Sequence, residues 1–199
     1  MIGYLVYFVI LIVSVVLHEL AHGYSALALG DTTAKRLGRL TLNPIKHMDP
    51  LGSVILPALS IISGFPVMLA WAKPVPVQPD RFKSPLFGMM IVALCGPLMN
   101  LFLALLCFVG LQFTELQAFS LFLKLGCMLN IWLAIFNLCP IPPLDGSRVL
   151  MYFLPPQFKL SYMQIERYGF VIIFILAYLG FFEKISKMTL SPLLSFLGL

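Results

Sequence analysis

Charged side chains are missing from most of this chain, and that spacing constrains the fold more than any other feature. Before Asp31 the only charged residue is Glu19; residues 51–72 and 84–114 carry none, and residues 116–144 carry Lys124 alone. Uncharged apolar runs of about 20 residues are long enough to cross a bilayer as helices. Only 11% of the chain is charged and 60% is hydrophobic, against roughly 25% and 45–50% in ordinary soluble domains. So few charges cannot clothe a soluble surface. The balance excludes a soluble enzyme, a disordered tail and a small disulfide-stapled secreted domain.

The first run is read as a retained helix, because no Lys or Arg precedes it and it outlasts the apolar core of a signal peptide. The expectation is an all-α polytopic membrane protein: a bundle of about four to six transmembrane or re-entrant helices, with a possible small β-element after the first. One membrane-embedded domain is expected over 1–199. Within it, 1–30 is the first helix and 31–49 a cytoplasmic or interfacial loop or β-element. Residues 50–72, interrupted by Pro57, Gly64 and Pro66, read as a re-entrant or interfacial segment. Helices follow over 85–114, over 118–148 together with a proline-rich NLCPIPPLDGSR stretch, and over 160–182; residues 188–199 form an apolar interfacial tail. Cys95, Cys107, Cys127 and Cys139 all lie in apolar stretches, where free thiols act as small hydrophobes, so no disulfide framework is expected.

Near the end of the first helix stands L-H-E-L-A-H-G. Positions i and i+4 share one helix face, so His18 and His22 can reach one zinc ion. Glu19 can then hold its carboxylate beside a metal-bound water, the two-ligands-and-base arrangement of metalloproteases. Chance HExxH matches occur in soluble helices, but a glutamate inside an apolar helix is costly and is a functional candidate by default. Catalytic zinc takes a third protein ligand. The residues leave His47, a cysteine such as Cys139, or a carboxylate open. Asp145 stands out among them as an acid next to an apolar segment, with a turn cap as its plain alternative role and Gly146 beside it allowing a sharp turn.

HELAH in one helix and FNLCPIPPLDGSR in a later one, with CGPLMN at 95–100 between them, resemble the site-2 protease family of intramembrane zinc metalloproteases. The likeness extends over roughly residues 10–180. It implies one zinc ion held by His18, His22 and Asp145, Glu19 as the base, and Asn137 as a residue that contacts substrate or its oxyanion. No segment resembles the PDZ or CBS domains of several family branches, so a minimal form is expected. The resemblance also suggests a β-element within TTAKRLGRLTL, residues 32–42. Its edge, Arg36, Leu37, Gly38, Arg39 and Leu40, would hold an extended substrate by strand addition.

Geometry tests this reading. For His22 and Asp145 to share a zinc ion, their helix ends must lie on one membrane side, so one intervening segment must re-enter or lie flat. The segment broken by Pro57, Gly64 and Pro66 is the best candidate. Lys35, Arg36, Arg39, Lys46, Lys73, Arg81, Lys83 and Arg148 then share a side that the positive-inside bias makes cytoplasmic. The expected activity is therefore peptide hydrolysis in membrane-spanning proteins or peptides, by a Glu-activated zinc-bound water, in a multi-pass protein of the cell membrane with its site nearer the cytoplasmic face. The lipid bilayer is a partner and nucleic acid is not; oligomeric state is left open. The competing classes are an intramembrane metal-ion transporter, which should carry polar groups through the full membrane depth, and an inactive membrane scaffold, which should lack a ligand or the base. Asn100 reads as interhelical packing polarity.

Overall fold

Helix lengths follow the uncharged runs. The computed structural model describes residues 2–49, 52, 55 and 72–196. Helix α1 (Ile2–Ala28) is 27 residues long, about 40 Å at 1.5 Å per residue. After a single helical turn, α2 (Thr33–Arg36), come α3 (Pro85–Leu111) and α4 (Gln117–Asn137). The chain restarts as α5 (Asp145–Phe153), then α6 (Pro156–Ile165) and α7 (Gly169–Tyr178), which a 3-10 turn joins into one apolar stretch, and ends in α8 (Phe181–Phe196). Among the described residues, four stretches are long and apolar enough to span a membrane: Leu5–Ala28, Pro85–Leu111, Gln117–Asn137 and Pro156–Tyr178. They leave Phe8, Val13, Leu98, Phe102 and Leu105 exposed, a belt that only lipid can cover. The chain is an all-α, multi-pass membrane protein.

Local chemistry sets the ends. Helix α3 stops at Leu111, short of 114, because Gln112 and Phe113 turn back onto Val109 O and Gly110 O. Helix α4 stops at Asn137, since Pro140, Pro142 and Pro143 have no N–H to continue it. Asp145 then opens α5 at its first turn. The helix expected at 160–182 starts earlier and breaks at Gly180, whose φ is 72°. Of the tail expected over 188–199, residues 188–196 form the second half of α8, and its Leu190 and Leu194 pack on Ala104, Cys127 and Ile131.

Helix α3 is central and packs against α1, α4 and α5. Ala26 at the end of α1 meets Phe82, which precedes α3, and Val92 in the first third of α3, so α1 and α3 run in opposite directions. Met48 and Ala72 form an antiparallel backbone bridge, which sets the two ends of the intervening stretch side by side. The re-entrant segment expected at 50–72 itself lies almost wholly outside the described residues.

The β-element is corrected: no strand forms between 31 and 49. Asp31 accepts from the Thr33 N–H at 2.9 Å and starts a helical turn. Leu37 N–H then bonds Thr33 O and Arg39 N–H bonds Ala34 O. These local bonds use the donors that a strand edge would offer. Arg36, Leu37, Gly38, Arg39 and Leu40 therefore form no edge for a substrate.

Candidate metal centre

The i, i+4 spacing does place two imidazoles on one face of α1, both buried. Asp145, 123 positions after His22, meets them from the first turn of α5. His18 Nε2 and His22 Nε2 are 3.0 Å apart, and Asp145 Oδ2 lies 3.2 Å from the first and 3.3 Å from the second. Three donors about 2.0–2.1 Å from a tetrahedral ion would stand about 3.3 Å from one another. His18, His22 and Asp145 form a group able to hold a metal ion.

Hydrogen bonding on the far side of each ring decides what the near side offers. His22 Nδ1 lies 2.7 Å from the carbonyl of Val92, which can only accept, so Nδ1 carries the hydrogen and the neutral ring keeps its lone pair on Nε2. His18 Nδ1 lies 2.6 Å from Asn100 Oδ1, with the same consequence. Asp145 Oδ2 is buried and has no aligned hydrogen-bond donor, as a shared proton would require. With both rings neutral, three lone-pair atoms face one another in a buried site. They repel unless a cation sits between them, and an N₂O donor set suits zinc.

One face of α3 shapes this site. Val92, Gly96 and Asn100 recur every four residues: the first and last bond the two rings, and Gly96 lies between. A Cβ at Gly96 would sit 2.4 Å from His22 Nε2 and 2.6 Å from His18 Cε1, so only glycine lets α3 approach. Gly146 serves a different purpose from the sharp turn expected of it. Its φ is not positive, and a Cβ there would lie 2.1 Å from Leu138 O. The loop packs directly on α5, which aims Asp145. Tyr162 Oη donates to Pro140 O at 2.9 Å, fixing that loop from α6, and Arg148 of α5 pairs with Glu166 in the turn after α6.

Glu19 lies one residue past His18, half-buried, and its Oε2 accepts from the Val75 N–H at 2.7 Å. The extended segment 72–78 that supplies this bond is gripped at both ends. Lys73 N–H bonds His47 O, Arg39 Nη2 donates to Lys73 O at 2.8 Å, and Gln78 N–H donates to Asp31 Oδ2 at 2.7 Å. Arg39, read from sequence as a substrate contact, is thus turned inward to hold this segment. His47 is neither a solvated loop residue nor a ligand: it is 2% exposed, with Nε2 bonded to Thr41 O. Cys139 is buried among Leu144, Ile173 and Phe182. Asn137 is at the end of α4, where its Nδ2 donates to Leu133 O. The four cysteines are free.

The Peptidase family M50 model matches residues 111–180, which hold α4, the loop, Asp145 and the fourth apolar stretch. YwhC of Bacillus subtilis, which bears a zinc metalloprotease name, is 40% identical over 195 residues, covering 93% of this chain and 84% of its own length. The chain belongs to peptidase family M50, the site-2 proteases. Rip2 of Mycolicibacterium smegmatis is 33% identical over 178 residues, 83% of this chain and 63% of that protein. A Methanocaldococcus jannaschii protein named Zinc metalloprotease MJ0392 is 28% identical over 77% of this chain but 35% of its own. No solved structure gives a significant match. As an M50 member the chain is a zinc metalloprotease, and its three facing lone pairs fit the ion that this class uses.

Proposed function

We propose that this membrane domain hydrolyses peptide bonds of membrane-spanning substrates, with one zinc ion held by His18, His22 and Asp145 and with Glu19 as general base. The observation that carries the reading is the buried, donor-free Asp145 Oδ2 within 3.3 Å of two imidazole nitrogens. Bound zinc would supply Lewis acidity toward the scissile carbonyl and acidify water to near neutrality. Glu19 is held beside this group by the Val75 N–H, so its free carboxylate oxygen can take the proton of the attacking water. It then hands that proton to the leaving amine. Asn137 is proposed as the donor to the developing oxyanion; its Nδ2 spends one hydrogen on Leu133 O and keeps the other for that purpose.

The orientation follows from charge. Residues 31–49 and 72–84 join the ends of α1 and α3 nearest the three-residue group, and they hold Lys35, Arg36, Arg39, Lys46, Lys73, Arg81 and Lys83. The opposite turn, residues 112–116, holds only Glu115. The positive-inside bias makes the site's end cytoplasmic, in the cell membrane. Zinc content measured beside cleavage of a membrane-embedded reporter tests the roles. Glu19→Gln should retain one zinc per chain and lose roughly 10²–10⁴-fold in rate, whereas Asp145→Ala should lose both metal and activity. An active Glu19→Gln variant would overturn the base assignment.

A further inference from the structure

Three uncharged polar residues in three different helices, Ser14, Asn100 and Asn130, are at most 2% exposed and lie in otherwise apolar runs. They form a directed chain. Gly126 O is a backbone carbonyl that can only accept, and Asn130 Nδ2 lies 2.9 Å from it. This fixes which end of the Asn130 amide is nitrogen. The same nitrogen donates to Ser14 Oγ at 2.9 Å, so both its hydrogens are used. Asn130 Oδ1 is left to accept from Asn100 Nδ2 at 2.9 Å. That bond in turn leaves Asn100 Oδ1 for His18 Nδ1, at 2.6 Å. Every hydrogen in the series points away from the three-residue group.

We infer that Asn100 is a positioning residue for the zinc site, fixing the ring orientation and tautomer of His18, and that Asn130, Ser14 and Gly126 O form the anchor that keeps its amide from flipping. An amide oxygen with no hydrogen of its own compels the ring to donate from Nδ1, so Nε2 keeps its lone pair for the metal. Donors aligned in one direction polarise one another and raise ligand basicity, as outer partners of metal-bound imidazoles do. Packing polarity alone would bring the helices together without a fixed direction. Here an immovable carbonyl sets the direction, and it is passed through two amides to a ring. The inference rests on the zinc-ligand reading above.

The test uses the full chain in detergent, with zinc affinity measured by competition against a chelator. Asn100→Leu keeps the size and removes the acceptor; zinc binding should weaken about 10–100-fold. Asn100→Asp restores an acceptor for His18 and should recover most of that loss. Asn130→Leu leaves the Asn100 oxygen but frees its amide to flip and should cost less than Asn100→Leu; Ser14→Ala should cost least. With only three histidines in the chain, nitrogen-15 spectra of labelled His can follow His18, whose Nδ1–H signature should give way to mixed tautomers in Asn100→Leu. Thermal melts in excess chelator separate these effects from metal-free stability. If Asn100→Leu fails to fold, Asn130→Leu and Ser14→Ala decide through the same two readouts. Wild-type zinc affinity with an unchanged Nδ1–H signature in the folded variants overturns the inference. His18→Ala and Asp145→Ala serve as controls: if they bind zinc normally, the ligand reading itself fails.

Discussion

The interior of the bundle and the connection at its end both bury polar side chains, but they use them differently. Inside, among Ser14, His18, Asn100 and Asn130, side chain meets side chain across helices. At the bundle end, Asp31, Arg39, His47 and Glu19 are spent on backbone groups: Gln78 N–H, Lys73 O, Thr41 O and Val75 N–H. The physical reason is backbone accounting. Within a helix the ladder already satisfies the main chain, so polar side chains turn mostly to one another, with the carbonyls of Val92 and Gly126 as added acceptors. Where the chain runs extended between Ala72 and Gln78, main-chain groups need partners, and buried charges supply them. The metal half of the site therefore rests on rigid helices, and the base half is held through a segment. The two halves should be separable by mutation.

The largest expected effect is at Gly96. Gly96→Ala pushes a Cβ to within 2.4 Å of His22 Nε2, so zinc and activity should be lost together; a Gly96→Ala protein with normal zinc content would break the picture of α3 as the wall of the site. Arg39→Leu addresses the other half. It removes the grip on Lys73 O without touching the imidazoles, so metal content should hold while the turnover rate falls roughly ten- to hundredfold. Loss of zinc in that variant would show that the halves are coupled.

The smallest effect concerns stability. Burial alone would raise the Asp31 carboxyl; hydrogen bonds from Thr33 Oγ1, Gln78 N–H and Thr33 N–H and the charge of Arg81 outweigh it and hold it below the usual carboxylate range. A depressed folded-state value means stability that is present above the unfolded value of about 3.9 and is lost as pH falls through the folded value. Asp31→Asn should cost about 1–3 kcal/mol at neutral pH. Denaturation in detergent across pH checks this, because the gap between the two proteins should close only in acid below about pH 4. A gap that does not narrow at all as the pH falls below about 4 would assign the effect to packing.

What could be read from the sequence tracks the range of the signal. The four apolar stretches follow from the spacing of charges, and the histidine pair follows from helical periodicity within five residues. Asp145 is distant in sequence, and the resemblance singled it out where the residues alone left His47 and Cys139 as rivals. The polar chain behind His18 is not legible in the sequence, where Asn100 reads as packing polarity and nothing sets Asn130 apart. The signal was nonetheless present, since two buried amides in apolar helices need partners, and only tertiary structure says which. The expected strand edge at 36–40 failed for a local reason. Residue types favouring strands were outweighed by the Asp31 side chain, which starts a helical turn at Thr33.

Val92, Gly96 and Asn100 show α3 meeting the two rings through a carbonyl, a gap and an amide oxygen in strict succession. The consequence concerns counting rather than chemistry. One residue inserted or deleted between 92 and 100 would rotate everything beyond it by about 100°, and no repacking could return all three features beneath two imidazoles fixed on another helix. That stretch of the polypeptide can trade its lipid-facing letters freely, but not their number.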